Sequence, residues 1–152
     1  MKLREEMPEL EGATQWFNGE VKKSDLVGNK PLTLVHFWSI SCGLCKEAMP
    51  MVNEFRDEYS EDMNVVAVHM PRSEKDLDLD EIKKVADQHD ISQPIFVDSD
   101  HKLTDAFDNQ YVPAYYVFDS EGKLRHFQAG GEGRKMLTKR ITKLLDKAKK
   151  ED

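Results

Sequence analysis

The only two cysteines in the 152-residue chain stand three apart, as Cys42-Gly43-Leu44-Cys45. They follow an apolar run, Leu32-Thr33-Leu34-Val35-His36-Phe37-Trp38, that reads as a buried strand, and a helical pattern begins at the first cysteine. A strand that delivers a thiol to a helix N-terminus sets it against unpaired backbone N–H groups and the positive end of the helix dipole. Both favour the thiolate. The second thiol lies one turn later, within reach of the first, so the pair can cycle between dithiol and disulfide. The competing chemistry is half of a zinc site. Tetrahedral zinc takes four ligands, usually as two tightly spaced pairs, and the scattered histidines at 36, 69, 89, 101 and 126 supply no second pair. Redox chemistry without a metal or bound cofactor is the expectation. A non-catalytic scaffold or a metal-binding module is the alternative.

The elements that must position the pair follow from the apolar patterning. Residues 64–70, Asn-Val-Val-Ala-Val-His-Met, form a second β-branched strand that ends before Pro71. Ile95-Phe96-Val97 and Tyr115-Tyr116-Val117-Phe118 read as further strands, and Ser120-Glu121-Gly122-Lys123 turns the last of these into a strand over 124–128. Helices are expected over 43–59, with Met49, Val52 and Phe55 inward and a kink at Pro50. Others follow after Asp78 and Glu81, which resemble a capping pair, over 103–107, and over 134–149. In the first 30 residues, Trp16-Phe17 and Val21 suggest a short hairpin, and Leu26-Val27-Gly28 leads toward the first central strand. Strand–helix–strand units followed by a hairpin and helix predict an α/β fold with a mixed sheet covered on both faces, in a single domain over 1–152.

Composition narrows the partners. Lys and Arg total 22 against 29 Asp and Glu, a formal charge of −7, which argues against a nucleic-acid backbone as ligand. No run approaches the roughly 18 apolar residues of a membrane span. Residues 1–8, Met-Lys-Leu-Arg-Glu-Glu-Met-Pro, carry no apolar signal-peptide core, so a cytoplasmic monomer is expected. In a reducing cytosol a lone cysteine pair is more often catalytic or metal-binding than structural. The acidic stretch 73–81 and the basic stretch 134–150 both read as solvated surface.

With these elements in place, the chain resembles the TlpA/ResA-like branch of the thioredoxin superfamily, and within it the small cytosolic members from Gram-positive bacteria. His36-Phe37-Trp38-Ser39-Ile40-Ser41-Cys42 and Val112-Pro113-Ala114-Tyr115-Tyr116 are the most distinctive phrases. The resemblance implies a thioredoxin fold with an N-terminal extension and an αβ insertion near 72–98. It implies dithiol–disulfide exchange with protein thiol or disulfide substrates, and a redox partner, either a reductase or a low-molecular-weight thiol. By the same resemblance Cys42 attacks, Cys45 resolves, and a cis Val112–Pro113 loop faces them and pairs with the substrate backbone. Trp38, Ile40 and Leu44 would form an apolar collar around Cys42.

The chain departs from related patterns at three places. Leu44 replaces the proline of the thioredoxin motif, and His36 stands where thioredoxin has a buried aspartate. Ala48 stands where many branch members have glutamate, with Glu47 one residue early. By period-two alternation His36 shares a strand face with Leu34 and Trp38. An imidazole there would be either a satisfied core histidine or the base that takes the Cys45 proton.

Overall fold

The run Leu32–Trp38 is a central strand of a six-stranded sheet in a computed structural model that describes residues 1–131 and 133–151. In chain order the elements are β1 (Gln15–Phe17), α1 (Lys23–Leu26), β2 (Leu32–Trp38), α2 (Gly43–Glu58) and β3 (Met63–His69). A 3₁₀ turn (Glu74–Leu77), α3 (Leu79–Gln88), β4 (Ile95–Val97) and α4 (Lys102–Phe107) follow, then β5 (Ala114–Phe118), β6 (Leu124–Ala129) and α5 (Arg134–Glu151). The sheet order is β1-β4-β3-β2-β5-β6. Strands β2, β3 and β4 run parallel, while β1, β5 and β6 pair antiparallel with their neighbours. This is the mixed sheet of a thioredoxin-like α/β fold.

Strand β2 is buried at every position because both faces of the sheet are covered. Its alternation sends Leu34 and Trp38 into one core, with Val52 and Phe55 of α2, Ile82 of α3 and Leu137 and Ile141 of α5. Val35 and Phe37 enter the opposite core, with Phe107 of α4 and with Met7 and Leu10 of the N-terminal segment. Phe107 anchors that second core edge-on, its ring 5.2 Å from Phe37 and 5.0 Å from Tyr116.

One expectation needs correction. Trp16 and Phe17 form no hairpin with Val21; they belong to β1, which pairs antiparallel with Ile95–Val97 of β4. The chain leaves β1 through Asn18 and Gly19, both at positive φ, and the Asn18 amide ties this turn to the carbonyls of Ile91 and Gln93. Leu26 ends the short helix α1, whose first turn is held by Asp25 accepting from Lys22 N–H at 2.8 Å. Helix α2 continues through Pro50, which lies on its exposed side. Asp78 caps α3 by accepting from Glu81 N–H at 3.2 Å. The insertion adds the 3₁₀ turn, α3 and β4 after the strand that borders the motif.

Candidate active site

Cys42 is the N-cap of α2, in extended conformation, and its sulfur accepts the Cys45 backbone N–H at 3.1 Å. That contact satisfies one of the N–H groups a helix start leaves without an intrahelical partner. Cys42 and Cys45 are joined in a disulfide, with Cα atoms 5.3 Å apart. Cys42 is 3% exposed, set among exposed Ser41, Gly43 and Leu44, whereas Cys45 is 1% exposed and lies in the core beneath α2.

The loop between β2 and Cys42 is fastened residue by residue. Trp38 O accepts from Met70 N–H at 2.8 Å, and Ile40 N–H donates to His69 Nε2 at 3.2 Å. The Ser41 hydroxyl donates to Asp76 Oδ2 at 2.8 Å and accepts from Arg72 Nε at 3.2 Å, while Arg72 Nη2 donates to Ser41 O at 2.7 Å. Arg72 N–H also donates to Asp76 Oδ2, at 2.8 Å. Asp76 is 1% exposed, so the acidic stretch is not uniformly surface; its 3₁₀ turn turns one carboxylate inward. His69 is fully buried, and burial lowers its pKa to about 4 against the opposing pull of the Asp76 charge. Since Nε2 accepts from Ile40, the ring proton resides on Nδ1.

His36 lies on the same sheet face as Leu34 and Trp38, next to Ala67 of β3 and Tyr115 of β5. Burial, aided by the Arg56 charge, lowers its pKa to about 3. It is therefore neutral, as a base must be, but its Nε2 lone pair is engaged by the Gln93 amide at 2.9 Å. Arg56 Nη1 donates to Gln93 Oε1 at 2.8 Å, which fixes the amide with its NH₂ toward the imidazole. The lone pair that a base at His36 would use is thus occupied in this arrangement.

The remaining residues separate by exposure. Trp38 is 1% exposed, its ring edge-on to His69 at 5.0 Å, so it backs the motif from the core and does not form part of an outward collar. Ile40 is also largely buried, while Leu44 is 54% exposed and rests against Gly131. Val112 is half-buried, Pro113 is buried, and the peptide bond between them is cis. The β2–β5 register pairs Phe37 with Ala114, which brings Pro113 to the end of the sheet where α2 begins. Gly130 N–H donates to Pro113 O at 2.9 Å, so the loop that supports Leu44 is also fastened to the proline. Ala48 is buried and Glu47 is exposed, which leaves no carboxylate from that part of α2 beneath the disulfide. Among the described residues no cluster of three or more His, Cys, Asp or Glu side chains is arranged to hold a metal ion.

Sequence reasoning missed His69, Arg72, Asp76 and Gln93. The only available signals were a polar residue closing the strand before Pro71, and charged residues following the motif strand's neighbour.

Comparison with known proteins agrees with this geometry. The AhpC/TSA family matches residues 3–127. Thiol-disulfide oxidoreductase YkuV of Bacillus subtilis (strain 168) is 70% identical over 145 residues, covering 95% of this chain and 97% of that protein. Thiol-disulfide oxidoreductase ResA of the same organism is 27% identical over 109 residues, 70% of this chain and 57% of that protein. The solution structure of a thioredoxin-like protein in the oxidized form superposes with a TM-score of 0.89 at 68% identity, over 97% of this chain and 99% of that one. A dithiol at a helix start, on this fold and at this level of identity, makes the chain a thiol–disulfide oxidoreductase belonging to the AhpC/TSA family.

Proposed function

We propose that the protein exchanges disulfides with protein substrates in the cytoplasm, with Cys42 as the attacking thiolate and Cys45 as the resolving thiol. The observation that carries this assignment is the Cys45 N–H held on Cys42 Sγ at the start of α2. A negative sulfur at that place keeps its donor and gains the helix dipole, whereas Cys45 sits one turn inside. In the reductive direction the Cys42 thiolate attacks a substrate disulfide, forms a mixed disulfide and releases one substrate thiolate. Cys45 then gives up its proton, attacks the Cys42 sulfur and releases the second substrate thiolate, leaving the Cys42–Cys45 disulfide. A reductase or low-molecular-weight thiol returns the pair to the dithiol.

Val112, before the cis peptide bond, can pair its backbone with an extended substrate segment, while exposed Leu44, backed by the largely buried Ile40, offers apolar contact to its side chains. Both cysteines lie in the motif, and this absence of any structural bridge suits a reducing compartment.

The test is turnover of insulin-type disulfide reduction with a thiol reductant. Cys42→Ser should abolish it. Cys45→Ser should accumulate mixed disulfides, because the intramolecular thiol that resolves them is gone. Full activity in both variants would reject the mechanism. Stoichiometric zinc in reduced protein that shows no turnover would favour a metal-binding module.

A further inference from the structure

Arg72 fastens the loop before Cys42, and it does so with a charge left at the surface. Its guanidinium is held by Ser41 O at 2.7 Å through Nη2 and by Ser41 Oγ at 3.2 Å through Nε. Ser41 O belongs to the peptide group that enters Cys42, so the positive charge is fixed one residue from the attacking sulfur. An unattached arginine would sweep a large volume. Asp76 strengthens the attachment by accepting both the Ser41 hydroxyl and the Arg72 backbone N–H; its carboxylate is buried behind the loop, while the guanidinium is the group at the surface.

Among the described residues the guanidinium joins no ion pair and Nη1 makes no hydrogen bond, so part of its donor fork faces solvent. Arg134, at the start of α5, is already paired with Glu54. Leu44 and Gly131 line the motif with uncharged surface, and the chain as a whole carries a formal charge of −7. Arg72 thus sets a fixed positive charge beside the motif, on a chain whose net charge is negative. A planar fork of donors suits a carboxylate.

We propose that Arg72 is a specificity-determining residue of the dithiol reaction, favouring disulfides flanked by carboxylate groups. This rests on the assignment of Cys42 as the attacking thiol.

The experiment compares two small disulfides of opposite charge, oxidised glutathione and cystamine, as oxidants of the reduced protein. In each case Cys42 displaces one probe thiolate and Cys45 displaces the other. The protein loses two electrons to form its disulfide, and the probe gains them as two thiols. The readout is the ratio of the second-order rate constants, glutathione disulfide over cystamine, from quenched thiol counts. Arg72→Gln should lower that ratio about three- to tenfold, the size expected for one charge a few ångströms away in a watery setting. Arg72→Glu should lower it further. At about 1 M salt, where the screening length falls to about 3 Å, the difference between wild type and Arg72→Gln should close. Arg72 is exposed, so both variants should fold. An unchanged ratio with both rates falling together overturns the proposal and leaves Arg72 a loop fastener, as does a ratio that rises. Failure of the wild type to react with either probe overturns the dithiol assignment, and this proposal with it.

Discussion

The Gln93 amide donates to His36 Nε2 at 2.9 Å, and Arg56 decides which way that amide faces by donating to Gln93 Oε1 at 2.8 Å. Together they hold a buried imidazole in its neutral form with the proton on Nδ1. His69 is held the same way by the Ile40 N–H. Two neutral histidines therefore lie in the core on the motif side of the sheet, and neither can gain a proton without losing the hydrogen bond that orients it.

Stability should accordingly fall as the solution is acidified. The folded-state pKa values, about 3 for His36 and about 4 for His69, lie below the ordinary value of 6.5, so the unfolded chain binds protons that the folded one refuses. Their contribution is present in full above pH 6.5 and is lost progressively as pH drops toward the folded values. Each histidine costs about 1.4 kcal/mol per pH unit across that window, or about 2 kcal/mol each by pH 5. Urea unfolding at pH 7.5, 6 and 5 measures this, and equal stabilities at all three would refute it.

His36→Phe separates packing from catalysis. The variant leaves the Gln93 amide without its acceptor and should lose roughly 1–3 kcal/mol of stability. Decay of a mixed disulfide on Cys42, which reports the Cys45 step, should stay within about threefold of wild type. A slowing of about 10²-fold or more in a folded protein would support a general-base role.

Asp76→Ala should destabilise far more than a neighbouring acidic truncation. It removes a charged acceptor from both Ser41 and Arg72, worth roughly 1.5–3 kcal/mol each before relaxation. Glu74→Ala, at an exposed position on the same 3₁₀ turn, should stay within about 0.5 kcal/mol. Equal denaturation midpoints for the two variants would mean that the Asp76 contacts contribute nothing.

Leu44 bears on the redox poise. In place of proline it leaves an additional backbone N–H in the first turn of α2, aimed at the end of the helix where the Cys42 thiolate forms. Stabilising the reduced form makes the pair more oxidising than thioredoxin. Equilibration with glutathione should give a potential above roughly −270 mV and below roughly −180 mV. Leu44→Pro should lower it. A wild-type value well under thioredoxin's would contradict the argument.

The site was legible in the sequence where it depends on short-range pattern. An unbroken apolar run ending at a Cys-x-x-Cys pair announces a buried strand feeding a helix, and β2 and α2 lie where that pattern puts them. What could not be read there is set by partners far along the chain. The edge of β4 that receives Trp16 and Phe17 lies nearly 80 residues away, so a local hairpin looked equally good. Asp76 sits among acidic residues that are nearly all solvated, and its burial is decided by Ser41 and Arg72. The Gln93 amide reaches His36 only because β4 joins the sheet beside β3.

The N-terminal segment touches both flanks of the sheet. Met1 donates to Phe107 O across 106 residues of sequence, Arg4 and Met7 donate to the turn around Gly122 and Leu124, and β1 then closes the β4 edge. During vectorial synthesis these residues leave the ribosome well before the strands that receive them. Arg4 and Met7 must wait, undocked, until the turn around Gly122 and Leu124 has emerged, whereas β1 needs only β4 to seal its edge.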